Sequence, residues 1–84
     1  MKYLIVIDFE ANCIENGTIY PQEITEFPAV PICIDTKRIL YDKIFHYYCK
    51  IDTKLTKFAT TLTGITQEMC DNGLSFTNVL KLFI

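Results

Sequence analysis

The chain opens on an uninterrupted apolar run, Tyr3-Leu4-Ile5-Val6-Ile7, that ends in Asp8-Phe9-Glu10-Ala11. A short run rich in β-branched residues predicts a strand buried on both faces, in the middle of a sheet covered by helices. Alternation then sets Asp8 and Glu10 on one face, roughly 6–7 Å apart, with Phe9 on the other. Asn16-Gly17 and Pro21 mark the stretch from Asn12 to Gln22 as turn and loop. Glu23 to Asp35 returns as strand, with Ile24, Val30, Ile32 and Ile34 on one alternate face. Pro28 and Pro31 cannot donate ladder bonds and predict a bulge or an open edge there. After the polar turn Asp35-Thr36-Lys37-Arg38, a third strand is expected over Ile39 to Cys49. Short connections make the three strands an antiparallel meander, its first strand the most deeply buried.

Beyond Lys50 the period changes. Lys54, Leu55, Phe58 and Leu62 fall at helical or loop spacing, and Gly64 marks a turn. Thr66 is a good N-cap, with Gln67 and Glu68 in the first turn of a short helix that runs to about Asn72. Gly73 suits a left-handed closing residue. Ser75 caps a second helix in which Phe76, Val79, Leu80 and Phe83 form one apolar stripe. No polar or glycine ending follows Lys81, so the reading is of a domain cut off at Ile84. An incompletely covered sheet predicts poor stability for such a chain alone.

Composition narrows the class. Eighty-four residues allow one small domain, and 50% hydrophobic with 21% charged residues excludes disorder by composition. A net charge of −2 gives no global basic footprint, so any nucleic-acid contact must be local. Cys13, Cys33, Cys49 and Cys70 form no Cys-x-x-Cys pair, and His46 is the only histidine, which argues against a zinc site. With no secretory leader pattern and no apolar span of bilayer length, the expectation is a cytoplasmic or nuclear protein with reduced thiols and no membrane contact.

Two carboxylates beside an apolar strand are unfavourable unless solvated, protonated or bridged by a cation. A hard divalent ion takes oxygen ligands of this kind. Taken alone, Asp-x-Glu more often marks a strand end simply returning to water. His46 lies mid-strand with no acidic neighbour in sequence and reads as structural or surface. The aromatic residues Tyr41, Phe45, Tyr47 and Tyr48 read as cross-strand packing rather than a base-stacking platform, since no Lys or Arg is regularly interleaved with them.

Three ordered blocks carry a resemblance: Asp8-Phe9-Glu10-Ala11, the segment Pro21-Gln22-Glu23-Ile24-Thr25-Glu26-Phe27-Pro28-Ala29-Val30, and Leu62-Thr63-Gly64-Ile65-Thr66-Gln67. Together they closely resemble the first part of the DEDDh family of 3′→5′ exonucleases, nearest to the histone-mRNA and small-RNA-trimming exoribonucleases. Phe76-x-x-Val79-Leu80 is similar to the helix that follows in that branch. The resemblance implies an RNase H-like α/β fold, of which residues 1–84 would be the N-terminal part of a truncated domain: a three-stranded antiparallel meander followed by two short helices. It implies two Mg2+ or Mn2+ ions, with Asp8 and Glu10 as metal ligands and catalytic residues. Glu10, Ala11 and Phe9, with Leu62 and Thr63, would lie against the 3′ end of single-stranded RNA.

The family's remaining two acidic residues and its catalytic histidine lie past the point matching Ile84, and His46 does not match that histidine. Ile51 replaces a proline usual in relatives. The implied reaction is hydrolysis of RNA from its 3′ end to nucleoside 5′-monophosphates, with the fragment inactive alone. The alternative is a non-catalytic exonuclease-like module that binds RNA or protein.

Overall fold

A ten-residue strand, β3 (Ile24–Cys33), is the spine of the molecule, a computed structural model that describes residues 2–84. Along one side of β3 run β1 (Tyr3–Ile7) and β2 (Glu10–Ala11). On the other run β4 (Arg38–Ile39) and β5 (Phe45–Lys50), all antiparallel to β3. A 3-10 turn at Tyr41–Lys43 separates β4 from β5. Helices α1 (Lys57–Thr63) and α2 (Gln67–Asp71) follow, then β6 (Leu74–Ser75), which joins β5 in parallel, and α3 (Phe76–Phe83). Among the described residues no helix is long and apolar enough to cross a membrane.

The prolines explain where the ladders stop. Leu40 N–H donates to the Pro31 carbonyl at 3.0 Å, and Ile34 N–H to the Lys2 carbonyl at 3.1 Å. Odd-numbered residues of β3 therefore direct their backbone polar groups toward β4 and β5, even-numbered ones toward β1 and β2. Pro31 has no N–H to give on the β4 side, and the expected third strand breaks there into β4, the turn and β5. The anticipated bulge falls instead at Thr25, between the pairs Glu10–Glu26 and Ala11–Ile24.

Successive residues of β5 feed two cores. Cys49 packs with Phe27 and Val79, flanked by Ile24, Phe45, Phe76, Leu80 and Phe83, so the stripe expected on α3 is the buried one. Tyr48 packs from the other face against Ile51, Leu55, Ala59, Ile65 and Cys70, the α1–α2 layer. Burial of an aromatic such as Phe27 stabilises the fold by about 1.5–3 kcal/mol. The buried positions of β3 are Thr25, Phe27, Ala29 and Cys33, the opposite parity to the Ile24, Val30, Ile32, Ile34 set expected from hydrophobicity, because α3 presents its aromatics to Phe27.

The expectation of a deeply buried first strand is overturned. Tyr3 to Ile7 are each 40–54% exposed, and β1 lies at the edge of the described sheet. Helices α2 and α3 pack on β5, and among the described residues no helix packs as extensively on β1. An apolar run identifies a strand but not its position, which depends on what covers it.

Local signals place the helices. The Thr56 hydroxyl accepts from Ala59 N–H at 3.0 Å and starts α1, and Gly64 closes it in the left-handed conformation, φ 80°. Thr66 and Ser75 cap α2 and α3 as expected, accepting from Met69 N–H and Asn78 N–H, each at 3.2 Å. Gly73 is not the left-handed residue. Asn72, at φ −85°, ends α2, and Gly73 is required because a Cβ there would meet the Tyr48 carbonyl oxygen at 2.3 Å.

Candidate cation site on the sheet face

Asp8 occupies a gap in the ladder. Pro28 turns a nitrogen without hydrogen toward it, so pairing stops at Ile7 and resumes at Glu10. Ile7 pairs with Ala29 and Glu10 with Glu26, so both strands advance by the same count and the facing alternation survives the gap. Phe9 accordingly packs on Phe27 and Phe76, ring centroids 4.7 and 6.1 Å away, on the α3 side. Asp8 and Glu10 are thereby left in step on the other face. Asp8 is exposed and Glu10 half-buried.

The face they share is acidic. Glu26 is the cross-strand partner of Glu10, and Tyr48 the partner of Glu26 on β5. His46, which has no acidic neighbour in sequence, has Nε2 2.5 Å from Glu26 Oε2. No sequence signal marks this pair, because the two residues are 20 positions apart and only the β3–β5 register joins them.

A second clasp fixes the chain just past Ala11. Asn12 is fully buried; its side-chain amide donates to the Lys54 carbonyl at 3.1 Å and to Thr53 Oγ1 at 3.5 Å, and its oxygen accepts from Thr56 N–H at 3.0 Å. Thr56 Oγ1 donates to the Cys13 carbonyl. Glu23 accepts from Asp52 N–H at 2.7 Å, Thr53 N–H at 3.1 Å and the Thr53 hydroxyl. Burial pushes its carboxyl up, but these three hydrogen bonds outweigh it and hold Glu23 below the usual glutamate value. This loop-to-helix clasp was read from sequence only as turn and loop.

Ala11, half-buried at the bulge, stays beside Glu10. Phe9 is carried to the opposite face, where its exposed ring packs on Phe27 and Phe76 at the margin of the aromatic core. Leu62 is 64% exposed at the end of α1, and the Thr63 hydroxyl donates to the Ala59 carbonyl at 2.8 Å while accepting from Ile65 N–H. A cleft between Gln22, Glu23, Lys50, Asp52 and Phe76 borders the α3 layer and includes neither Asp8 nor Glu10.

The donor set fits a hard divalent cation in part. Among the described residues, neither Asp8 nor Glu10 spends its carboxylate on a hydrogen bond or an ion pair. Both offer oxygen ligands from one face, which suits Mg2+ or Mn2+. No group of three or more possible ligands gathers among the described residues.

A mixed sheet led by an antiparallel meander, with helices following the strands and paired acids at a strand end, places this chain among nuclease-type α/β folds. The family description Exonuclease matches residues 5–84. The chain is 42% identical over 81 residues to ERI1 exoribonuclease 3 of Homo sapiens, covering 94% of this chain and 23% of that protein. Its fold matches the nuclease domain of 3′hExo, a DEDDh family member solved bound to rAMP, with TM-score 0.85 and 40% identity over 96% of this chain and 41% of that one. It also matches the cell-death related nuclease CRN-4, with TM-score 0.89 and 30% identity over 96% and 28%. The chain belongs to the DEDDh exonuclease family and carries its RNase H-like fold. It spans between 12% and 24% of the length of the curated relatives it matches.

Proposed function

We propose that residues 1–84 are the N-terminal part of an exoribonuclease domain that removes nucleotides from the 3′ end of single-stranded RNA by a two-metal mechanism and releases nucleoside 5′-monophosphates. The observation that carries this is the placement of Asp8 and Glu10: one face, no competing partner among the described residues, in a fold matching that of a nuclease domain solved with rAMP. Bound Mg2+ or Mn2+ would supply charge neutralisation at phosphorus and a more acidic water.

The chain's own residues bind and orient. Asp8 and Glu10 hold the cation side of the site, and the Phe9–Phe27 contact fixes their direction. Ala11 lies where a terminal nucleotide approaches the backbone, with Leu62 and Thr63 as the outer wall. His46, the single histidine, is not free to act as the base, since its Nε2 is engaged by Glu26. The 84-residue chain alone is therefore inactive in this reading, because a water has no proton acceptor.

The test joins residues 1–84 to the remainder of the 3′hExo nuclease domain in place of the matching segment. Labelled single-stranded RNA with Mn2+ should be shortened from the 3′ end with release of nucleoside 5′-monophosphates, and Asp8→Asn or Glu10→Gln should abolish this. A chimera that folds and binds RNA but cleaves nothing would favour a non-catalytic module. Metal-dependent trimming by the 84-residue chain alone would refute its inactivity.

A further inference from the structure

The contact between Glu26 and His46 is used by neither the cores nor the proposed reaction. Carboxylates directly opposite one another on neighbouring strands repel, and Glu26 faces Glu10 across the ladder. Yet the Glu26 carboxylate is drawn the other way, toward β5, where His46 Nε2 lies 2.5 Å from Oε2. The imidazole is itself braced. Its ring stands edge-on to Tyr48, centroids 4.9 Å apart and planes at 84°, and Tyr48 is anchored in the α1–α2 core. Carboxylate, imidazole and phenol ring form a bracket one strand behind Glu10.

We propose that His46 withholds Glu26 from the cation site, so that this sheet offers an ion two carboxylates rather than three. His46 is in this sense a positioning residue acting through Glu26, and the inference rests on the cation reading of Asp8 and Glu10. Cross-strand Cβ atoms lie about 5 Å apart, so a released Glu26 side chain can turn onto the ion that Glu10 holds. A hard cation takes any carboxylate oxygen within reach. A third one would bind the ion more tightly and fill a position that substrate or water needs. The restraint requires only that Nε2 carry a proton, which holds for the charged ring and for one neutral tautomer.

The experiment is a Mn2+ titration of the 84-residue chain, read by the paramagnetic resonance of the free ion. His46→Val removes the donor and suits a strand; it should tighten Mn2+ binding by about fivefold, the scale of bringing a unit charge from about 8 to about 4 Å of a divalent ion in a water-like medium. His46→Gln keeps an uncharged donor and should restore wild-type affinity. The gain should vanish in His46→Val with Glu26→Gln. Unchanged affinity in His46→Val, or a gain that survives removal of Glu26, overturns the proposal. Should His46→Val not fold, Glu26→Gln alone decides, measured at about 0.15 M salt: a restrained Glu26, about 8 Å from the ion and screened, predicts a loss of no more than about twofold, whereas a larger loss shows that Glu26 already ligates the ion. Wild-type chain indifferent to Mn2+, or binding it equally well as Asp8→Asn, defeats the cation reading itself and is a different result.

Discussion

The ring of Phe9 stands edge-on against that of Phe27, centroids 4.7 Å apart and planes at 73°. Phe27 is 1% exposed and also touches Phe45, Phe76 and Phe83, so one side chain of β3 ties the Asp8–Glu10 segment to β5 and α3. Phe27→Ala is expected to cost about 3–5 kcal/mol, a large share of a small domain's stability. Urea unfolding followed by circular dichroism measures it. Phe9→Ala should cost less, since Phe9 is 42% exposed, yet should weaken Mn2+ binding because the direction of Asp8 and Glu10 is no longer fixed.

Acid should loosen the Asn12–Thr56 region first. The folded-state pKa of Glu23 lies below its ordinary 4.5. A depressed carboxylate contributes stability that is present above the unfolded value and lost as pH falls through the folded one. Below about pH 4.5 the clasp on Asp52 and Thr53 should therefore weaken progressively. Glu23→Gln should lower stability at pH 7 and flatten this acid limb, measured as melting temperature against pH.

Asn12→Ala leaves the Lys54 carbonyl and Thr56 N–H without their partner inside the fold. The expected cost is about 2–3 kcal/mol, mostly from stranding buried polar groups. Amide hydrogen exchange at Thr56 and Ala59 should accelerate before that of β3, because the start of α1 loses its tie to the strand that follows the acids.

The two glycines beside α2 should respond differently to alanine. At Gly64, φ 80° with open space around a Cβ, the cost is conformational and about 1 kcal/mol. At Gly73 the new methyl meets the Tyr48 carbonyl at 2.3 Å, so β5 and β6 must separate and the loss should be larger. Comparing denaturation midpoints of the two variants checks the order.

Thiol reagents should also report the core. Burial, and then the neighbouring Cys70 thiol, push Cys49 up to about 11, and burial raises Cys70. Both are fully buried. At pH 8 neither should react with a disulfide reagent except through unfolding, whereas Cys13, partly exposed, should label in the folded chain.

The features legible in sequence are those that depend on neighbours along the chain. Thr66 and Ser75 as caps, Gly64 as a turn and the Phe76–Phe83 stripe each need only local geometry, and the structure has them all. The Asp8–Glu10 alternation is legible for the same reason. What eluded the sequence depends on tertiary partners. The exposure of β1 reflects which strands the helices cover, the role of Gly73 reflects a carbonyl on β5, and the Glu26–His46 contact exists only through register. Pro28 and Pro31 were legible as interruptions, but which ladder each would interrupt follows from the direction of each residue's backbone groups, and that is fixed only once β3 has its neighbours.

The outermost strand is also the one that leads into Asp8. Whatever peels Tyr3 to Ile7 away from β3 displaces half of the acid pair with it, so fraying at this margin and release of an ion become a single event. Occupancy by Mn2+ should then slow amide exchange along β1 more than anywhere else in the sheet.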